Sequence, residues 1–172
     1  MLSKERRPLI VLSFVVLVGS MLAGSFTPPD ATLLQALDQL SQEVQSGGYT
    51  AIFINNAIIA MTFFVPLLGL GSAFSASFTT GAAMSALAQQ AGVNAQFLFL
   101  TTMIMPHTVI EFAAYSLALA ENLVIMQKLL LRKGINAEMG PLIYTILLVL
   151  GLLIVGAVVE ILTTELITGS LV

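Results

Sequence analysis

Three ionisable side chains sit where the chain around them is apolar. His107 and Glu111 lie four residues apart, so a helix brings both to one face, with Tyr115 on the following turn. Glu160 interrupts Gly156-Ala-Val-Val-Glu160-Ile-Leu, and Asn55 and Asn56 interrupt a run of isoleucine, phenylalanine and alanine. A charged group costs about 2.5–3.5 kcal/mol to insert at the centre of a membrane helix, so such groups face a bundle interior and serve a purpose. Four uses fit these residue types. His107 donates to Glu111 or Glu160 while the asparagines satisfy backbone, holding helices together. Alternatively the set forms a transport or proton-relay path, a hydrolytic metal site, or a site for a partner or lipid. One histidine with two glutamates suits a hard or borderline metal, but the spacing is not the His-Glu-x-x-His of metalloproteases and there is no second histidine. The metal therefore stays unknown, and no cofactor is expected. Nucleophilic triads and phosphate loops are absent. Gly69-Leu-Gly71 lacks the third glycine and the strand context of a dinucleotide fingerprint.

The elements that must position these groups are membrane helices. The 172 residues are 58% hydrophobic and 9% charged, against about 25% charged in a typical soluble domain. That leaves too little polar surface to cover a water-soluble fold. Net charge is -3 and no long basic run occurs, which excludes a nucleic-acid partner. Cysteine is absent, and so are disulfides and thiolate metal sites. The expected fold is all-α: a single transmembrane bundle of five spans, at about 9–26, 51–70, 72–88, 95–127 and 141–167. The first has the basic start and small-residue end of a signal peptide, and is read as a signal anchor. Between spans 1 and 2, Leu33, Leu34, Leu37, Leu40 and Val44 recur at helical spacing, predicting an extracytoplasmic amphipathic helix over 31–45.

Two prolines and a stripe of small residues set the bundle's shape. Pro66 should kink the second span near its end, with Gly69 and Gly71 turning the chain into the third. Gly69, Ala73, Ser77, Gly81 and Ser85 repeat every four residues, a pattern that lets helices approach closely and makes the third span the central one. The fourth stretch would be roughly 48 Å long as one helix, more than a bilayer core needs. It is therefore strongly tilted, or Pro106 breaks it into a short piece, helical or re-entrant over 96–105, and a full helix. The break would free the carbonyl of Thr102. Glu121, near Lys128, reads as an ion-paired end residue.

Charge fixes the orientation. Five spans place all six basic residues, Lys4, Arg6, Arg7, Lys128, Arg132 and Lys133, on one side, opposite Asp30, Asp38 and Glu43. The positive-inside rule then puts the N-terminus in the cytoplasm and the C-terminus outside, in the cell membrane. Asn55, Asn56, His107, Glu111 and Glu160 all fall in the outer half.

The chain resembles the stage II sporulation protein M family of membrane proteins over roughly residues 50–168. The matching pieces are Phe53-Ile-Asn55-Asn56, Pro106-His107-Thr-Val-Ile-Glu111-Phe-Ala and Ala157-Val-Val-Glu160-Ile-Leu-Thr-Thr. The family's usual Pro-His-Gly is Pro106-His107-Thr108 here, and Phe112 replaces a leucine after the glutamate. The family's Asn-Gly pair is only partly kept, in Ser77-Phe-Thr-Thr-Gly81. The resemblance implies a structural or scaffolding role in a membrane complex, since sporulating members anchor wall-remodelling enzymes. Expected partners are the lipid bilayer and a second copy or another membrane protein, with self-association through the small-residue faces. The alternative is a small transporter or permease-like subunit using His107, Glu111 and Glu160. An enzyme is not expected, an intramembrane metal-dependent hydrolase being the remaining variant.

Overall fold

The computed structural model describes residues 6–28 and 48–169; the amphipathic helix expected over 31–45 lies outside them. Within these residues the chain is helical, with no strand. The helices are α1 (Arg6–Gly24), α2 (Gly48–Phe63), α3 (Gly69–Ala91), α4 (Ala95–Met103), α5 (Pro106–Leu130) and α6 (Met139–Thr168). Three stretches are long and apolar enough to cross a membrane: α1, α5 and Asn136–Leu166. Their outward faces carry large apolar side chains, such as Val11 and Val15 on α1 and Leu147 and Ile154 on α6. Serine, asparagine and glutamate are found instead among the buried residues, as expected where the surrounding solvent is hydrocarbon.

Cross-contacts fix the direction of each helix. Arg6 at the start of α1 reaches Glu121 on α5 and Glu138 in the 3₁₀ turn before α6. Asn122 on α5 donates from Nδ2 to the carbonyl of Val65, just past α2, at 2.6 Å. One end of the bundle therefore gathers the start of α1, the α2–α3 turn and the α5–α6 connection; we call it the basic end. At the opposite end, Ser85 on α3 donates to the carbonyl of Thr27 at 2.7 Å, and Gln96 on α4 reaches the carbonyl of Ser25. Helices α1, α3 and α6 thus run away from the basic end, while α2 and α5 run towards it.

The small-residue stripe of α3 is buried, and its partner is α1. A Cβ placed on Gly81 would lie 1.9 Å from the carbonyl oxygen of Met21, and one on Gly24 would lie 2.0 Å from that of Phe78. Two backbones in such contact have no room for side chains between them. The stripe that suggested self-association is thus filled from within the same chain.

Several boundaries differ from expectation. Helix α2 ends at Phe63 and does not continue to residue 70 with a kink. Pro66 has no N–H to extend the helical ladder, and the chain turns over residues 64–68, where Leu67 takes a left-handed φ of 69°. The glycines expected to make this turn instead open α3. The fourth stretch is broken: α4 ends at Met103, and Pro106 occupies the first turn of α5, where its missing N–H costs nothing. Residues 95–103 are helix, started by Asn94, whose side chain accepts from the amides of Gln96 and Phe97. The carbonyl of Thr102 accepts from the amide of Met105 at 3.1 Å. Helix α5 is closed by Arg132 in a left-handed conformation (φ 53°).

Candidate functional site

The centre of the candidate site is Glu111. Its Oε1 accepts a 2.7 Å hydrogen bond from Nδ2 of Asn56, which joins α5 to α2. Asn55 donates to Oδ1 of Asn56 at 3.3 Å. On the α6 side Glu111 leans over Gly156, where an added Cβ would lie 3.3 Å from its Cγ. Glu160 is one turn beyond Gly156 and within electrostatic reach of both Glu111 and Tyr115. Four of the residues singled out by sequence therefore belong to one neighbourhood: Asn55, Asn56, Glu111 and Glu160.

His107 does not join them. It shares a helix face with Glu111, yet its Nδ1 is buried with no hydrogen-bond partner among the described residues. A common face sets direction and says nothing of reach. The expected bond from His107 to Glu111 or Glu160 is not formed. Nor do three or more His, Cys, Asp or Glu side chains gather to hold a metal among the described residues. The donor set a hydrolytic metal would need is thus not assembled.

Glu111 and the two asparagines border a partly enclosed cavity of about 410 Å³ between α1, α2, α3, α4 and α5. Its walls mix apolar side chains with hydroxyls, among them Ser77, Thr80, Thr102, Thr108 and Tyr115. Phe63 and Tyr115, with ring centroids 5.5 Å apart, line it towards the basic end. The hydroxyls of α3 were visible in sequence as an unusually polar helix, but nothing there indicated that α4 would bring Thr102 to face them. Pro106 contributes indirectly: by breaking the chain it lets α4 and α5 form separate walls.

A second polar group lies about 15 Å from Glu111 along α5, given ten residues at about 1.5 Å each. Arg6 holds Glu121 by two hydrogen bonds of 2.9 Å, from Nε and Nη2. Arg6 also pairs with Glu138, which pairs in turn with Lys128. Glu121 is 2% exposed, so it is a buried partner and more than an end residue at the membrane surface. Two cations and two carboxylates balance, and the paired geometry offsets the cost of burying them. Comparison with protein-family models, with curated proteins and with solved structures finds no match for the chain.

Proposed function

We propose that the chain is a five-span membrane protein, N-terminus in the cytoplasm and C-terminus outside, that takes a small solute into the cavity beside Glu111 as a permease-like subunit. The cavity carries this reading. A bundle that needed Glu111 only for cohesion would close around it, because voids forfeit packing contacts. Here the carboxylate has one hydrogen-bond partner among the described residues and borders about 410 Å³ of open volume, within the size range of small-molecule sites. The alternating directions of α1, α2, α3, α5 and α6 support five spans, as does the collection of Arg6, Lys128 and Arg132 at one end. Helix α3 is less apolar than the other long helices, but α1 covers its small-residue face. Helix α2 spans about 24 Å, short for a bilayer core and accommodated by local thinning.

Two experiments test this. Because cysteine is absent, single cysteines at Gly134 and Val93 can be probed with a membrane-impermeant thiol reagent in oriented vesicles. Reaction from opposite sides is expected; reaction from the same side removes the topology. In proteoliposomes, a water-soluble carbodiimide with a small amine should modify Glu111 but spare Glu121. A Glu111 that reacts only after denaturation removes the solute site.

A scaffolding role in a membrane complex, implied by the resemblance to stage II sporulation protein M, is favoured by a separate feature. The outer face of α2 forms an open apolar groove lined by Phe53, Ile54, Ala57, Ile58 and Met61. A helix of a membrane partner or of a second copy would fit there. Bulky substitution at Ala57 should then reduce recovery of a complex without affecting modification of Glu111.

A further inference from the structure

We infer that the solute taken by this cavity is a small organic ammonium ion. The inference rests on the cavity reading above and adds the chemical class. Four features of the walls select it.

The first is charge. Glu111 is the one Asp, Glu, Lys, Arg or His side chain among the described residues lining the cavity. Arg6 and Lys128 are committed to Glu121 and Glu138 at the basic end. An anionic solute would meet a carboxylate with no cation in the wall, a repulsion that low dielectric enlarges.

The second is the sense of the hydrogen bonds. The hydroxyl of Thr80 donates to the carbonyl of Ala76 at 2.9 Å, and that of Thr102 to the carbonyl of Leu98 at 2.9 Å. Asn56 spends a donor on Glu111. With these protons committed, the oxygens of Thr80 and Thr102 and Oε2 of Glu111 can still accept, and the hydroxyls of Ser77, Thr108 and Tyr115 can present oxygen as well as hydrogen. Such a wall suits a solute that brings donors, as an ammonium group does.

The third is aromatic. Tyr115 lies 5.5 Å from Phe63 and 6.3 Å from Phe112, centroid to centroid, and all three line the cavity. A cation near such faces is attracted by the negative potential over the rings. The fourth is size. A cavity of about 410 Å³ is far larger than the ~30 Å³ share of one water molecule, so a bare metal ion or hydronium would leave it mostly empty. The described residues also lack a cluster of metal-binding side chains. A carbon-bearing cation fills the volume and uses the rings.

The test is protection of Glu111 in proteoliposomes from the carbodiimide and amine described above, read by mass spectrometry. The probes are the protonated tertiary amines trimethylamine and N,N-dimethylethanolamine, which bring an N–H donor but cannot form an amide with the activated carboxyl, against sodium methanesulfonate and glycerol. Either ammonium ion should slow modification of Glu111 saturably, about ten-fold at ten times its Kd, with no change at Glu165. Methanesulfonate and glycerol should not. Thr80→Phe, which fills the cavity and leaves every charge in place, should abolish protection. Protection by glycerol to the same degree, or none by either ammonium ion while Glu111 still reacts, overturns the ammonium assignment and leaves the cavity reading standing. A Glu111 that never reacts in the folded protein overturns both.

Discussion

Nδ2 of Asn56 and Oε1 of Glu111 are 2.7 Å apart, and their hydrogen bond ties α2 to α5 within the apolar interior. It connects two helices that run in the same direction, where the rings of Phe63 and Tyr115 also meet, centroids 5.5 Å apart. It also consumes one carboxylate oxygen and leaves the other to the cavity. A contact of this kind both fixes the wall and keeps it chemically open.

Replacing Asn56 by aspartate tests the relationship by reversing it. The donor is lost and a second carboxylate is set against Glu111, with Glu160 close by. A hydrogen bond to a charged group contributes about 1.5–3 kcal/mol. Asn56→Asp should therefore lower the thermal midpoint in detergent more than Asn56→Ala does. Equal midpoints for the two variants would show that Asn56 and Glu111 do not meet.

The cluster around Glu111 was legible because polar residues stand out in apolar helices. What failed was the step from a shared helix face to a shared contact: His107 and Glu111 are neighbours on α5, but it is Glu111 that meets Asn56 and Gly156. The stripe on α3 was equally visible, yet its partner was not. Gly24, read as part of a signal-like segment end, is the residue that meets Phe78 across it. Least legible was the pairing of Arg6 with Glu121, 115 residues apart. Local pattern carries no term for that; it offered only Lys128, on the same helix, as a neighbour for Glu121.

The close approach of α1 and α3 makes a graded prediction about glycine. A methyl on Gly81 would sit 1.9 Å from a backbone oxygen, which moves only if a whole helix moves. Overpacking of this kind costs about 1–3 kcal/mol or more. Gly71, two residues into the same helix, has open space around it. Gly71→Ala should be neutral or stabilise by up to about 1 kcal/mol, the helix-propensity gain. Gly81→Ala should instead lose folded protein on gel filtration. Similar behaviour of the two variants would mean that α1 does not pack on the stripe.

Leu67 invites the opposite change. It holds a φ of 69° in the turn between α2 and α3 and is 71% exposed, so its side chain gains little from packing. A left-handed conformation costs a non-glycine residue about 1–2 kcal/mol. Leu67→Gly should remove that cost and raise the thermal midpoint, net of the greater entropy glycine loses on folding. A fall in the midpoint would place the turn in a different conformation.

The charges at the basic end predict strong non-additivity. Arg6→Met leaves Glu121 buried with neither of its 2.9 Å bonds. Removing one member of a buried pair costs about 3–5 kcal/mol, because the remaining charge is neither solvated nor matched. Glu121→Gln alone leaves Arg6 with Glu138, so its cost should be smaller. In the double variant, Arg6→Met with Glu121→Gln, Lys128 and Glu138 still neutralise each other and no buried charge is stranded. The double variant should therefore be more stable than Arg6→Met alone. A thermodynamic cycle on the parent protein and the three variants in detergent gives the coupling directly. Strictly additive losses would mean that Arg6 and Glu121 act separately, and the start of α1 would then lack its anchor on α5.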